Sequence, residues 1–169
     1  MPTPLVAKPP QGLLRWALRL PILLYRLRLG WLLGERLLLL NHIGRTSGQA
    51  RQTVVEVVDY DMASDTYFIA SGWGYKAHWY QNLMATPAIT IQVGRRRLAV
   101  RAETIAPDTS VQILLKYRQK HPLAARELSR LIGLDINQSA PEQLEKVIRE
   151  SLPVVALRPV PPKEPPQSA

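Results

Sequence analysis

Between Gly44 and Arg51 the sequence reads Gly-Arg-Thr-Ser-Gly-Gln-Ala-Arg, with two glycines, two hydroxyls and two arginines in eight residues. Glycine permits tight or left-handed backbone, hydroxyls add donors, and guanidinium groups bind phosphate or carboxylate through paired N–H bonds. The segment therefore has the chemistry of an anion cradle. It is not a Walker A loop, because Gly48 is followed by Gln49-Ala50 and a valine-rich strand pattern stands where a helix would be needed. A hairpin loop with two solvated arginines would have the same composition, so the segment alone leaves both readings open.

A second candidate is Ser71-Gly72-Trp73-Gly74, directly after an apolar run, followed by Trp79-Tyr80-Gln81-Asn82. Glycines at a strand end let a planar ligand approach the backbone, Trp79 and Tyr80 can border an aromatic ring, and Asn82 can hydrogen-bond a ligand edge. Trp79 and Leu83 serve equally well as core anchors at helical spacing. Absence of cysteine excludes disulfides, thiol catalysis and thiolate metal sites. His42, His78 and His121 lack HxH or HExxH spacing, so no metal is expected. The run Arg95-Arg96-Arg97 lacks interleaved aromatics and reads as solvated charge on a hairpin tip, not as a nucleic-acid surface.

These residues need a scaffold, and the hydrophobic pattern supplies one. Leu37 to Leu40 is a continuous apolar run, Gln52 to Tyr60 is rich in valine, and Tyr67 to Ala70 forms a third strand after a polar turn at Asp61–Asp65. His78 to Thr86 reads as a short helix ending before Pro87. Ile89–Val93 and Arg97–Ile105 alternate around a Gly94-Arg95 turn, which predicts a hairpin. Helical periodicity follows over Pro107–Lys120 and Leu123–Leu131, and Ser139-Ala140-Pro141-Glu142 predicts a capping box opening a third helix. Pro153–Leu157 closes the pattern as a last strand. The expected class is α+β, a small antiparallel barrel with helical additions.

At 169 residues the chain has room for one domain, and nine of its 15 prolines lie in residues 1–10 and 159–166. Those ends, 1–10 and 159–169, are expected to be disordered tails around a barrel domain over 35–158. The net charge of +9 is uneven, since Lys8, Arg15, Arg19, Arg26 and Arg28 stand in residues 1–34 without any acid. Residues 11–34 read as a basic amphipathic helical segment in which Arg15, Arg19 and Arg26 fall within about 40° of one another at helical spacing. Its longest uncharged runs, six residues, are far short of a membrane span. Residues 13–33 suit either a membrane surface or the protein's own core. A cytoplasmic location, with or without peripheral membrane association, is expected.

Taken in order, Leu37-Leu38-Leu39-Leu40, the Gly44–Arg51 loop, Ala70-Ser71-Gly72-Trp73-Gly74, Trp79-Tyr80-Gln81-Asn82-Leu83, Thr86-Pro87 and Ile91-Gln92-Val93-Gly94 resemble the deazaflavin-dependent nitroreductase family. The resemblance covers residues 35–105, with Leu152-Pro153-Val154-Val155 also similar. It implies a split β-barrel, related to FMN-binding barrels, that uses coenzyme F-420, an 8-hydroxy-5-deazaflavin with a phospholactyl oligoglutamate tail. Carried over by position, it implies cofactor contacts at Arg45, Thr46, Ser47 and Arg51, along Gln52, Thr53, Val54 and Val55, and at Ala70, Ser71, Gly72, Trp79, Tyr80 and Asn82.

Two departures stand out. The family's loop usually reads Gly-Arg-Lys-Ser-Gly, and here Thr46 takes the lysine position, removing one cationic partner for the acidic tail. The tyrosines of a Tyr-Pro-x-Tyr substrate pocket correspond at best to His121-Pro122-Leu123-Ala124, so nitroimidazole reduction is not implied. The resulting expectation is hydride transfer to an apolar conjugated acceptor such as a quinone, an activated alkene or a nitroaromatic, with Ser71, Tyr80 and His121 as candidate proton donors. FMN as cofactor, or a barrel that carries a cofactor or lipid without turnover, are the alternatives. A homodimer is left open.

Overall fold

The computed structural model describes residues 34–161 together with Ile22, Leu24 and Leu27. The expected tail from 159 begins later, since Pro159 pairs with Val100 and the Val160 N–H donates to the Ala99 carbonyl at 2.9 Å; the remaining tail residues and most of the expected amphipathic segment lie outside the described residues. Six strands form a closed antiparallel barrel: β1 (Leu37–Ile43), β2 (Ala50–Asp61), β3 (Thr66–Ala70), β4 (Ala88–Val93), β5 (Arg96–Thr104) and β6 (Val154–Pro159). Their order around the barrel is β1-β2-β3-β6-β5-β4, with β4 returning to β1. Within residues 34–161 four α-helices accompany the barrel: α1 (His78–Ala85), α2 (Pro107–Lys120), α3 (Pro122–Ile132) and α4 (Pro141–Ser151). This is the α+β antiparallel barrel with C-terminal helices that the sequence led us to expect.

Alternation in the strands builds two cores. Tyr67 and Ile69 of β3 and Val155 and Leu157 of β6 point into the barrel with Leu38, Leu40, Ile91 and Val100. Phe68, Ala70 and Val154 point outward to Val111, Leu114, Leu144, Ile148 and Leu152 of the helical layer. This double burial explains why Val154 to Leu157 is apolar without a break, as in any strand covered on both faces. Strand β2 pairs with β1 over residues 50–56 and with β3 beyond, and its register shifts between Val57 and Asp59. The shift is a bulge that turns Val58 into the helical layer.

The helix starts follow the prolines. Pro107, Pro122 and Pro141 each occupy the first helical position, where the missing N–H costs nothing. The expected capping box is displaced by one residue: Ala140 is the N-cap, and its N–H donates to Gln143 Oε1 at 3.0 Å. Ser139 is buried and donates instead to the Asp135 carbonyl at 2.6 Å, which closes the turn before α4.

One end of the barrel is tied by charge. Arg96 donates to Asp65 through two nitrogens, at 2.6 and 3.1 Å, and to the Tyr67 hydroxyl at 3.1 Å, while Tyr60 donates to Asp65 at 2.7 Å. The Tyr60 and Tyr67 rings stack 4.5 Å apart beneath this pair. The bonds from Arg96, then from Tyr60, hold the Asp65 carboxyl below the usual carboxylate range. A folded value below 3.8 means stability present above pH 4 and lost as pH falls through the folded value. Asp65→Asn is therefore expected to cost about 1 kcal/mol at pH 7, the modest value reflecting partial solvent screening. In urea titrations the difference from the unsubstituted protein should shrink as pH falls below about 4, and a difference that does not change with pH would contradict the assignment.

Candidate functional site

The opposite end gathers the residues singled out in the sequence. Because Asn41 pairs with both Gln52 and Thr90, the β1–β2 loop emerges beside the start of β4, next to the end of β3, the start of β6 and helix α1. The loop closes on itself: Gly44 N–H donates to the Gln49 carbonyl and Gly48 N–H to the Gly44 carbonyl, both at 2.8 Å. Gly48 has φ +65°, the left-handed turn that lets the chain reverse here. Arg45, Thr46, Ser47 and Arg51 stand exposed on it.

Helix α1 is buried against this end through Trp79, Tyr80, Asn82 and Leu83. The Asn82 carboxamide, 5% exposed, joins helix and loop. Its Oδ1 accepts the Arg45 N–H at 3.0 Å and the Arg45 guanidinium at 3.3 Å. Its Nδ2 faces His42 Nδ1 at 3.1 Å, and His42 Nε2 lies 3.2 Å from Thr53 Oγ1. With Oδ1 committed to two donors, Nδ2 must donate to His42, so Nδ1 is unprotonated and Nε2 carries the proton toward Thr53. Burial, then the charge of Arg51 across the β1–β2 ladder, hold the imidazole below its usual range, and it is neutral at pH 7.

The loop arginines differ in their partners from five others, although Arg118 is likewise held by neutral oxygens, the Ile136 and Ser139 carbonyls. Arg36, Arg96, Arg130, Arg149 and Arg158 each pair with a carboxylate. Arg45 and Arg51 are instead oriented by neutral amide oxygens, those of Asn82 and Gln49. Residues 37–55 contain no acid. Among the described residues, no protein group takes up the amides of Thr46 and Ser47. Two positioned, uncompensated guanidinium groups beside free backbone donors fit a phosphate or carboxylate group.

Other expected positions divide into those facing this end and those committed elsewhere. Gln52 donates to Asn41 Oδ1 at 2.8 Å, Val54 is half-buried on β2, and Val55 packs on the barrel core. Ser71, 1% exposed, donates its hydroxyl to the Gly74 carbonyl at 2.9 Å, and Ala70 belongs to the outer core. A Cβ at Gly72 would meet Leu131 at 3.1 Å and Leu128 at 3.3 Å, so this glycine makes room for α3. The Trp79 and Tyr80 rings meet edge to face at 6.2 Å, and the Tyr80 hydroxyl lies 3.0 Å from that of Thr104. His121 stands apart at the α2–α3 junction, its ring 5.8 Å from that of Tyr117. Sequence reasoning passed over His42. Its signal was register: 38, 40 and 42 share the inward face of β1, and a polar residue there needs partners. Among the described residues no cluster of His, Asp and Glu could hold a metal ion.

The sequence pattern of the F420H(2)-dependent quinone reductases matches residues 27–130, which span β1 to α3 and the whole of the loop and α1. The chain belongs to that family. Its members are oxidoreductases that use reduced coenzyme F-420, and the acid-free arginine loop suits the anionic tail of that coenzyme. No curated protein matches the chain. Among solved structures, an F420-H2 dependent reductase superposes with TM-score 0.50 at 17% identity, covering 74% of this chain and 96% of its own. A protein of unknown function from Agrobacterium tumefaciens gives TM-score 0.52 at 18% identity, covering 93% of this chain and 59% of its own. A conserved hypothetical protein from Mycobacterium tuberculosis gives TM-score 0.50 at 13% identity, covering 80% and 79%. At these identities the likeness is one of fold.

Proposed function

We propose that this family member transfers a hydride from reduced coenzyme F-420 to a quinone. When bound, the coenzyme supplies that hydride from its deazaflavin ring. The observation that carries the reading is the pairing of Arg45 and Arg51 with neutral amides in an acid-free loop, at the barrel end where α1 buries Trp79 and Tyr80. The loop would hold the anionic tail while the Ser71–Gly74 turn and the aromatic helix border the ring. A neutral partner orients a guanidinium without cancelling its charge, which keeps it available to the ligand. The apolar core behind α1 would exclude water from the protein side of a ring bound there.

Of the candidate donors, the Ser71 proton is committed to a carbonyl and His121 stands apart at the α2–α3 junction, whereas the Tyr80 hydroxyl faces that of Thr104, where either oxygen can donate, so Tyr80 is the better placed to pass a proton on. FMN would use the same two arginines, and a carrier without turnover would bind equally well. Following reduced-coenzyme absorbance with a soluble naphthoquinone, an activated alkene and a nitroaromatic separates these. Rapid oxidation by the naphthoquinone supports the proposal, and tight binding with no oxidation by any acceptor would leave the carrier reading.

The basic, apolar pattern of residues 13–33 supports a contact with the membrane surface where lipid-soluble quinones reside. Among the described residues no helix is long and apolar enough to cross a membrane. Deleting residues 1–33 should abolish binding to anionic vesicles, and unchanged binding would rule this contact out.

A further inference from the structure

We propose that His42 is a positioning residue for the anionic end of the cofactor, acting through Asn82 on Arg45; the proposal rests on the loop's role given above. A primary carboxamide can turn over, exchanging its oxygen and nitrogen, and the two orientations have opposite consequences for Arg45. With Oδ1 toward the loop, Asn82 accepts from both the backbone N–H and the guanidinium. With Nδ2 toward the loop, donors would face donors and Arg45 would be released. Nδ1 of His42, 3.1 Å from Nδ2, is an acceptor that only the first orientation satisfies.

The imidazole is itself fixed. It is 4% exposed, and Nε2 lies 3.2 Å from Thr53 Oγ1. The charged groups around this couple are Arg51, its cross-strand partner, and Arg45, and residues 37–55 offer no carboxylate to stabilise an imidazolium. Burial and these charges select the neutral ring, and the Nδ2–H of Asn82 selects the tautomer with a bare Nδ1. The chain His42–Asn82–Arg45 thus converts a buried tautomer on β1 into the placement of an exposed cation.

The test is a set of coenzyme F-420 titrations followed by fluorescence. His42→Leu removes the acceptor at similar size and is expected to weaken binding about tenfold, the scale of one hydrogen bond. His42→Asn puts a carbonyl oxygen near the Nδ1 position and should bind within about threefold of the unsubstituted protein. In the Arg45→Ala background, His42→Leu should cause much less than its tenfold loss, because the guanidinium it positions is gone and only the backbone N–H bond to Asn82 remains. Additive losses in the double variant, or His42→Leu binding normally while Arg45→Ala is weakened, would overturn the role of His42 and leave the loop reading intact. Normal binding by Arg45→Ala would overturn both. Independently of any variant, ring ¹⁵N shifts of the unsubstituted protein should show Nε2–H with an unprotonated Nδ1, and the reverse tautomer would refute the proposal.

Discussion

Alanine at both Arg45 and Arg51 is expected to weaken coenzyme F-420 binding by about 3 kcal/mol, more than a hundredfold, while leaving the melting temperature nearly unchanged. Both side chains are exposed, and neither pairs with a carboxylate, so their removal strands no buried charge. Asn82 Oδ1 keeps the Arg45 backbone N–H, at 3.0 Å, and the loop keeps its two internal 2.8 Å bonds. Binding and stability should therefore separate. Raising the salt concentration should weaken the unsubstituted protein toward the variant, since the lost interactions are ionic. Unchanged affinity in the double variant would mean that the loop is a solvated hairpin and that the anion is bound elsewhere.

Gly74→Ala should have the largest effect on the fold, about 3 kcal/mol or more. Gly74 has φ +70°, and a Cβ there would lie 2.8 Å from the Ser151 carbonyl oxygen in the last turn of α4. The backbone conformation alone costs about 1–2 kcal/mol for alanine, and the clash is with main chain, which cannot swing aside as a side chain would. Gly74 also donates to the Ser71 carbonyl at 2.8 Å and accepts the Ser71 hydroxyl at 2.9 Å, so moving it moves the whole turn after β3. A fall in melting temperature of about 10 °C is expected for a domain of this size. Gly72→Ala should be milder, because Leu128 and Leu131, whose side-chain carbons stand 3.1–3.3 Å away, can yield. Equal melting temperatures for the unsubstituted protein and Gly74→Ala would contradict this account of the turn.

The local pattern made individual elements legible. Runs such as Leu37–Leu40 and the Gly94-Arg95 turn have short-range causes, and the corresponding strands and hairpin are present. Where each strand ends was less legible: β1 runs on to Ile43 because Asn41 and His42 find partners across the sheet, which composition does not show. The insertion of β6 between β3 and β5 joins segments far apart in sequence and leaves no local mark. The capping box slipped by one residue because Ser139 had a better use, closing the turn onto Asp135. At the candidate site the arginine loop was legible from composition, since glycine, hydroxyl and guanidinium each have a local rationale. The coupling of Arg45 to Asn82, 37 residues away, was not, and Gly72 signalled a close approach without saying that α3 makes it.

The most direct measurement is a fluorescence titration of the purified protein with coenzyme F-420 and, in parallel, with FMN. Saturable binding of the deazaflavin at micromolar concentration or below, with FMN weaker by at least about tenfold, is the expected result. It would show that the loop accepts the acidic tail even with Thr46 in place of lysine. Preferential binding of FMN would contradict the account, keeping the barrel and its arginine loop while assigning them a different cofactor.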